Sequence, residues 1–197
     1  MDTLGDVLTK CGITERTPDQ NVIYIGGSLG ALVGFYLCDM FQHVLDGAIL
    51  IDCGQNVGPG ASYKAKVGLV FMKWLGSKCS NATLLNMMKN ICLKSDADYH
   101  LIETTFGAGM FFDQAGEQVE CLRAVAPAEY IPHLNFPLIF MNGSKDYRDS
   151  EKKWLELCKN KDSELKVYEG GDHFFCHDSR FVDDILKRCN DLANKIR

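Results

Sequence analysis

Asn21-Val22-Ile23-Tyr24-Ile25-Gly26-Gly27-Ser28-Leu29-Gly30 is the stretch from which the rest of the chain can be read. Residues 21–25 form a short apolar run with β-branched members, long enough for a buried strand. Residues 26–30 spell G-x-S-x-G, and residues 31–41 continue as an apolar helix through Ala31, Leu32, Phe35, Leu37, Cys38 and Phe41. Between a strand and a helix this pentapeptide predicts a sharp turn. Such a turn forces Ser28 into strained dihedrals and exposes its hydroxyl above the strand ends. Gly26 and Gly30 are expected to let strand and helix approach, and the helix N-terminus adds positive potential beside Ser28. A phosphate-binding loop is the competing reading of a glycine-rich turn, but the sequence contains no G-x-x-x-x-G-K-[ST].

Working outward, residues 47–51 (Gly-Ala-Ile-Leu-Ile) predict a second buried strand. Residues 137–141 predict a third, closed by Asn142-Gly143-Ser144, and residues 165–168 a fourth, ended by Gly170-Gly171. Helical spacing marks residues 2–11. It marks a segment from Asp149 or Ser150 to about residue 159, burying Trp154, Leu155 and Cys158. It also marks residues 178–195, burying Phe181, Val182, Ile185, Leu186, Cys189, Leu192 and Ile196. Strands alternating with helices predict an α/β fold, mainly a parallel sheet with covering helices. The expected core is 1–52 with 135–197, in one domain spanning 1–197. Residues 53–134 read as an insertion of helical periodicity, rich in Met and aromatic residues (Phe71, Met72, Trp74, Met87, Met88, Phe106). Those side chains are expected to be core, with a flexible apolar cap over a ligand pocket as the second reading.

The 197 residues are 46% hydrophobic and 24% charged, which is ordinary for a globular domain and wrong for a disordered chain. A net charge of -5 with scattered Lys and Arg offers no general attraction for nucleic acid or anionic lipid. No apolar run reaches the roughly 18 residues of a membrane span, and Met1-Asp2 leads straight into an amphipathic segment rather than a signal peptide. Nine cysteines without a C-x-x-C pair read as reduced, mostly buried thiols of a cytoplasmic protein.

A serine hydroxyl needs a base to become a nucleophile. Open parallel sheets place their sites at the C-terminal ends of the strands. Asp146 follows the third predicted strand, and His173 follows the fourth in Gly171-Asp172-His173-Phe174. His173 would take the Ser28 proton, and Asp146 would hold the imidazole in one tautomer and stabilise its cation. The backbone N–H of Leu29 would donate to an oxyanion. His177 competes with His173 as base. Asp172 and Asp52 compete with Asp146 as acid. A zinc site from His173, Cys176 and His177 lacks an apparent fourth ligand, so neither metal nor cofactor is expected. His43, His100 and His133 read as surface or satisfied core residues, and Asn81-Ala82-Thr83 as a chance sequon.

The block 21–51 resembles the nucleophile region of the α/β-hydrolase superfamily, and the block 137–175 resembles its acid and histidine region. The resemblance implies a partial α/β-hydrolase fold in which residues 53–134 form the helical cap. It implies a serine esterase acting on small ester or related acyl substrates through Ser28, His173 and Asp146. It makes Asp52 an acid position used in some variants of the fold. The family places several strands before the nucleophile strand, and a loop among them, often with a His-Gly motif, supplies the second oxyanion donor. Here 27 residues precede Ser28, and none of them forms a His-Gly pair. The nucleophile strand is therefore expected at a sheet edge, open to a second copy or another chain. A non-catalytic interaction protein is the alternative reading.

Overall fold

The computed structural model describes residues 6, 8–13, 15–17, 19–53, 63–80, 83, 125–146, 149–171 and 179–195. The chain divides into two compact units, Met1–Gly54 with Ala126–Arg197, and Gln55–Val125.

The first unit holds four strands, β1 (Ile23–Gly27), β2 (Gly47–Ile51), β3 (Leu138–Gly143) and β4 (Glu164–Tyr168). They pair in the order β1-β2-β3-β4, every pair parallel. Helix α1 (Leu29–Met40) joins β1 to β2. In the second unit α2 (Tyr63–Lys78) is the long described helix. Back in the first unit, a short helix α3 (Pro127–Tyr130) runs into a 3-10 turn (Ile131–His133). Helix α4 (Asp149–Leu157) lies between β3 and β4, and α5 (Ser179–Lys195) follows β4. The α/β architecture and the four parallel strands expected from the sequence are those observed. Of the expected 2–11 helix, residues 6 and 8–10 are described, and they are helical.

Strand alternation sends side chains to both sheet faces. Ile49, Ile51, Ile139, Met141 and Tyr168 pack with Phe181 and Leu192 of α5. On the other face the Phe35 ring of α1 lies 6.4 Å from Phe140 and meets Trp154 of α4 edge-on at 5.1 Å. Phe35, Phe140, Ile49 and Leu50 are fully buried. Burial of each such side chain contributes about 2–3 kcal/mol, so this double-sided core holds the sheet. Asp46, also buried, pins the lead-in to β1: its carboxylate accepts Arg16 Nε (2.6 Å) and the N–H of Val22 (2.8 Å).

Several expectations change; on α5, Val182 and Leu186 are 48% and 60% exposed rather than buried. β1 runs through Gly26 and Gly27, which pair with Leu50 and Ile51, so the helix begins at Leu29 rather than Ala31. Among the described residues β1 lies at the sheet edge, as expected, but the run 21–25 is not fully buried, with Ile25 47% exposed. Phe71 and Trp74 are half-exposed rather than core, because Tyr63, Val67, Val70, Phe71 and Trp74 form one apolar face of α2 that the described residues leave open. The thiols divide as well: Cys38 and Cys53 are buried, Cys79, Cys158 and Cys189 half-buried, and Cys11 exposed, all of them free. Cys92, Met87, Met88, Phe106, Met110, Ile196 and His100 lie outside the described residues. Among the described residues no helix is long and apolar enough to cross a membrane.

β1 and α1 approach each other closely. A Cβ on Gly26 would meet the backbone C and O of Gly30 at 2.8 Å, and one on Gly34 would meet the Tyr24 ring at 2.5 Å. Gly30 itself has open space around it, so Gly34, not Gly30, shares the steric role with Gly26. A Cβ on Gly27 meets nothing within 4 Å. Gly26→Ala is therefore expected to destabilise the protein by about 1–3 kcal/mol in chemical denaturation. Gly27→Ala in the same strand should move stability by no more than about 1 kcal/mol.

Candidate active site

Because all four strands are parallel, the residues after each strand end at one edge of the sheet. Ser28 follows β1, Asp52 follows β2, and Asp146 follows β3. The segment 172–178, containing His173 and its competitors Asp172 and His177, follows β4 but lies outside the described residues.

Ser28 adopts φ 51° and ψ -113°. A non-glycine residue at positive φ costs on the order of 1–3 kcal/mol and persists only where its surroundings impose it. Here the surroundings are clear. The Ser28 N–H donates to Ile51 O (2.8 Å), the Ser28 carbonyl accepts Leu32 N–H as the first bond of α1 (3.2 Å), and Gly26 is pressed against Gly30. The Tyr24 hydroxyl donates to Gly30 O at 2.7 Å and ties the strand to the helix start. Burial, then the nearby Cys38, pushes the Tyr24 phenol up to about 12, so it stays a neutral donor. Ser28 is exposed, and its hydroxyl makes no capping hydrogen bond to α1 although serine is a favoured cap. The strained, exposed serine expected from G-x-S-x-G is thus present. Leu29 is the first residue of α1, so its N–H has no acceptor within the helix. No acidic side chain occupies the first turn of α1 to offset its positive end.

The loops after β3 and β4 are stitched together. Ser144 N–H donates to Tyr168 O (2.9 Å), Lys145 N–H to Gly171 O (2.8 Å), and Gly170 N–H to Ser144 Oγ (2.9 Å). Gly170 turns with φ 78°, a conformation that favours glycine. Asp146 is half-buried, and its N–H closes a turn onto Gly143 O (3.1 Å).

Behind this edge is a buried polar group that sequence reading found only in part. Asp52 is 4% exposed, has φ 49°, and accepts the N–H of Gly143 (3.3 Å) on Oδ1. Burial, then the neighbouring Asp146 charge, raises its carboxyl to about 9. Glu151 of α4 is fully buried, accepting Asn142 Nδ2 on one oxygen and Cys53 Sγ (3.4 Å) on the other. Burial raises Glu151 to about 7 against the lowering effect of these donors, and burial drives the Cys53 thiol upward. The sequence analysis named Asp52 but missed Glu151. Its signal was register: Glu151 sits three, four and seven residues before Trp154, Leu155 and Cys158, on the face assigned to the core. Of the histidines read as bland, His43 lies against Phe41, with ring centroids 6.4 Å apart, and His133 is 3.8 Å from Asp39 at the surface. Among the described residues no cluster of His, Cys, Asp or Glu could hold a metal ion.

Solved structures of similar architecture are found despite low identity. A carboxylesterase structure from the thaumarchaeon Nitrososphaera gargenis matches with TM-score 0.78 at 14% identity, covering 98% of this chain and 71% of that one. The chain has an α/β-hydrolase fold. A thermophilic esterase from Thermogutta terrifontis matches with TM-score 0.71 at 14% identity, covering 98% of this chain and 70% of that one. A bromoperoxidase from Bacillus anthracis matches with TM-score 0.73 at 15% identity, covering 93% and 70%. No family model and no curated protein matches the sequence. The fold is partial, since each of these structures is longer than the chain.

The buried acids give stability a distinct pH dependence. Both carry a proton in the folded state well above their ordinary range, so their contribution is complete below about pH 4 and is lost as pH rises through about 7 for Glu151 and about 9 for Asp52. Melting temperature is expected to fall from pH 5 to pH 9. Glu151→Gln should flatten the part between pH 5 and about pH 7, worth a few kcal/mol in unfolding free energy. An unchanged slope in that variant would count against a buried, protonated Glu151.

Proposed function

We propose that the chain is a serine hydrolase acting on small ester or related acyl substrates, with Ser28 as nucleophile, His173 as general base and Asp146 as the acid that orients it. The observation that carries this reading is the backbone of Ser28, a strained conformation held between β1 and α1 with the side chain exposed. Strain of this kind is maintained where a side chain must be presented rather than packed. Lys145 N–H bonded to Gly171 O supports the assignment of the other two groups, because the chain enters 172–178 beside Asp146.

In the proposed reaction the Ser28 hydroxyl attacks the carbonyl carbon while its proton passes to His173. The Leu29 N–H stabilises the oxyanion, aided by the positive end of α1. Collapse expels the alcohol, which takes the proton from His173, and water activated by the same imidazole frees the acid. Protein groups and water suffice for this sequence. Residues 53–134 would form the cap that selects the acyl group.

A second reading follows from the position of β1. Its outer edge has no strand beyond it among the described residues, and Ile25 is 47% exposed there. A second copy or another chain adding a strand would cover it. Such a partner could complete the site or replace catalysis by binding. The protein is then a cytoplasmic interaction module rather than an enzyme.

A fluorophosphonate probe should label wild-type protein and leave Ser28→Ala unlabelled, read by intact mass. Equal labelling of both would end the nucleophile assignment. Turnover of a 4-nitrophenyl ester should rise with pH through about 6.5 as His173 loses its proton, and His173→Ala should lose the rise together with the rate. Stable association through β1 with no labelling would favour the interaction module.

A further inference from the structure

Tyr63, Val67, Val70, Phe71 and Trp74 recur at helical spacing along α2, and they are 82%, 49%, 63%, 54% and 55% exposed. The Phe71 and Trp74 rings stack, with centroids 6.0 Å apart and planes 24° apart. Single exposed apolar residues are ordinary, but a contiguous apolar face of five marks a surface that meets something other than water. The charge of the same helix is one-sided. Its charged residues are Lys64, Lys66, Lys73 and Lys78, with no Asp or Glu. Residues 53–95 hold six lysines and no acid, in a chain of net charge -5. The average over the chain conceals this basic segment, so the even scatter of cations read from the whole sequence does not hold here. The advance of about 100° per residue places positions 66 and 73 along one border of the apolar face and position 64 along the other, with position 78 at its C-terminal end.

We infer that α2 docks on the surface of an anionic lipid bilayer, with its apolar face entering the interface and its lysines meeting the headgroups. The 16 residues of α2 span about 24 Å at 1.5 Å per residue, and lysines border the face on both sides, so the helix lies in the plane of the membrane rather than across it. Tryptophan and tyrosine suit the depth where hydrocarbon meets headgroup, and a lysine stem can run along apolar surface while its ammonium stays in water. Each cation held near an anionic leaflet strengthens binding about fivefold. A second copy of the chain is a poorer occupant, because face-to-face packing would bring like-charged lysines together. A single helix is a convex ridge, and a bilayer interface accepts such a ridge without a matching groove. The inference does not depend on the hydrolase reading, since no residue of α2 takes part in the proposed reaction.

Co-sedimentation of the whole chain with vesicles tests the docking. Vesicles of equal parts phosphatidylcholine and phosphatidylserine should carry the protein down, and added salt should release it. The chain has two tryptophans, and the other, Trp154, is buried. Lipid brominated on its acyl chains should therefore quench emission through Trp74, and Trp74→Phe should still bind while losing that quenching. Val70→Asp combined with Phe71→Asp, both at exposed positions, should lower the partition coefficient about tenfold or more. Lys66→Gln combined with Lys73→Gln should lower it about fivefold for each lysine removed. No recovery with the mixed vesicles overturns the proposal, and so does recovery that the double aspartate variant retains in full. Equal recovery on phosphatidylcholine alone, insensitive to salt, overturns the anionic surface. If the wild-type chain dimerises in solution and the double aspartate variant does not, α2 is a protein interface and the inference fails. Should the double aspartate variant not fold, the Trp74→Phe quenching and the lysine variants decide alone.

Discussion

Between Gly26 and Gly30 there is no room for a single carbon, and the geometry of the site edge follows from that contact. The strand can run to residue 27 and the helix can begin at residue 29 only because their backbones touch there. One residue is left to reverse direction, and it does so at positive φ. The Tyr24 ring, wedged against Gly34 and bonded to Gly30 O, holds the two elements at that distance. Packing therefore supplies the energy for a conformation that Ser28 would not adopt alone, and the Phe35–Trp154–Phe140 contacts on the same helix supply much of that packing.

The electrostatics of the edge depend on depth rather than on sequence distance. Ser28 is exposed, Asp146 half-buried, and Asp52 and Glu151 buried beneath them. With depth the ionised form of a carboxyl becomes more costly, so burial favours protonation in a cluster that would be three negative charges in water. Hydrogen bonds from Gly143, Asn142 and Cys53 keep the protonated interior satisfied.

What could be read in the sequence was whatever is local. The runs 21–25, 47–51, 137–141 and 165–168 are strands, displaced by at most two residues at each end, because β-branched runs closed by Gly or Asn encode a strand within a few positions. The strained serine was legible for the same reason: glycine spacing and the strand-helix context lie within ten residues. Among the described residues β1 lies at the edge of the sheet. The hydrogen bond of Asp52 with Gly143, and that of Cys53 with Glu151, joins residues more than ninety positions apart, and no periodicity records which loops meet. Gly34 was overlooked because its reason is a tyrosine ten residues earlier on a different element. Exposure of Phe71 and Trp74 was not legible either, since an apolar stripe has the same pattern whether or not anything covers it.

β2 and β3 lie side by side in register from Ala48↔Leu138 to Ile51↔Met141, yet the chain leaves at Ile51 and returns only at Leu138. The entropy of closing such an excursion grows with the logarithm of its length, about 0.6 kcal/mol for each doubling. Ladder hydrogen bonds and the Ile49–Ile139 side of the core fix the strand pairing locally, whatever the detour contains. Evolution can thus lengthen, shorten or rewrite the detour at almost constant thermodynamic cost to the sheet, which makes it the part of the molecule freest to diverge while the strand ends stay where they are.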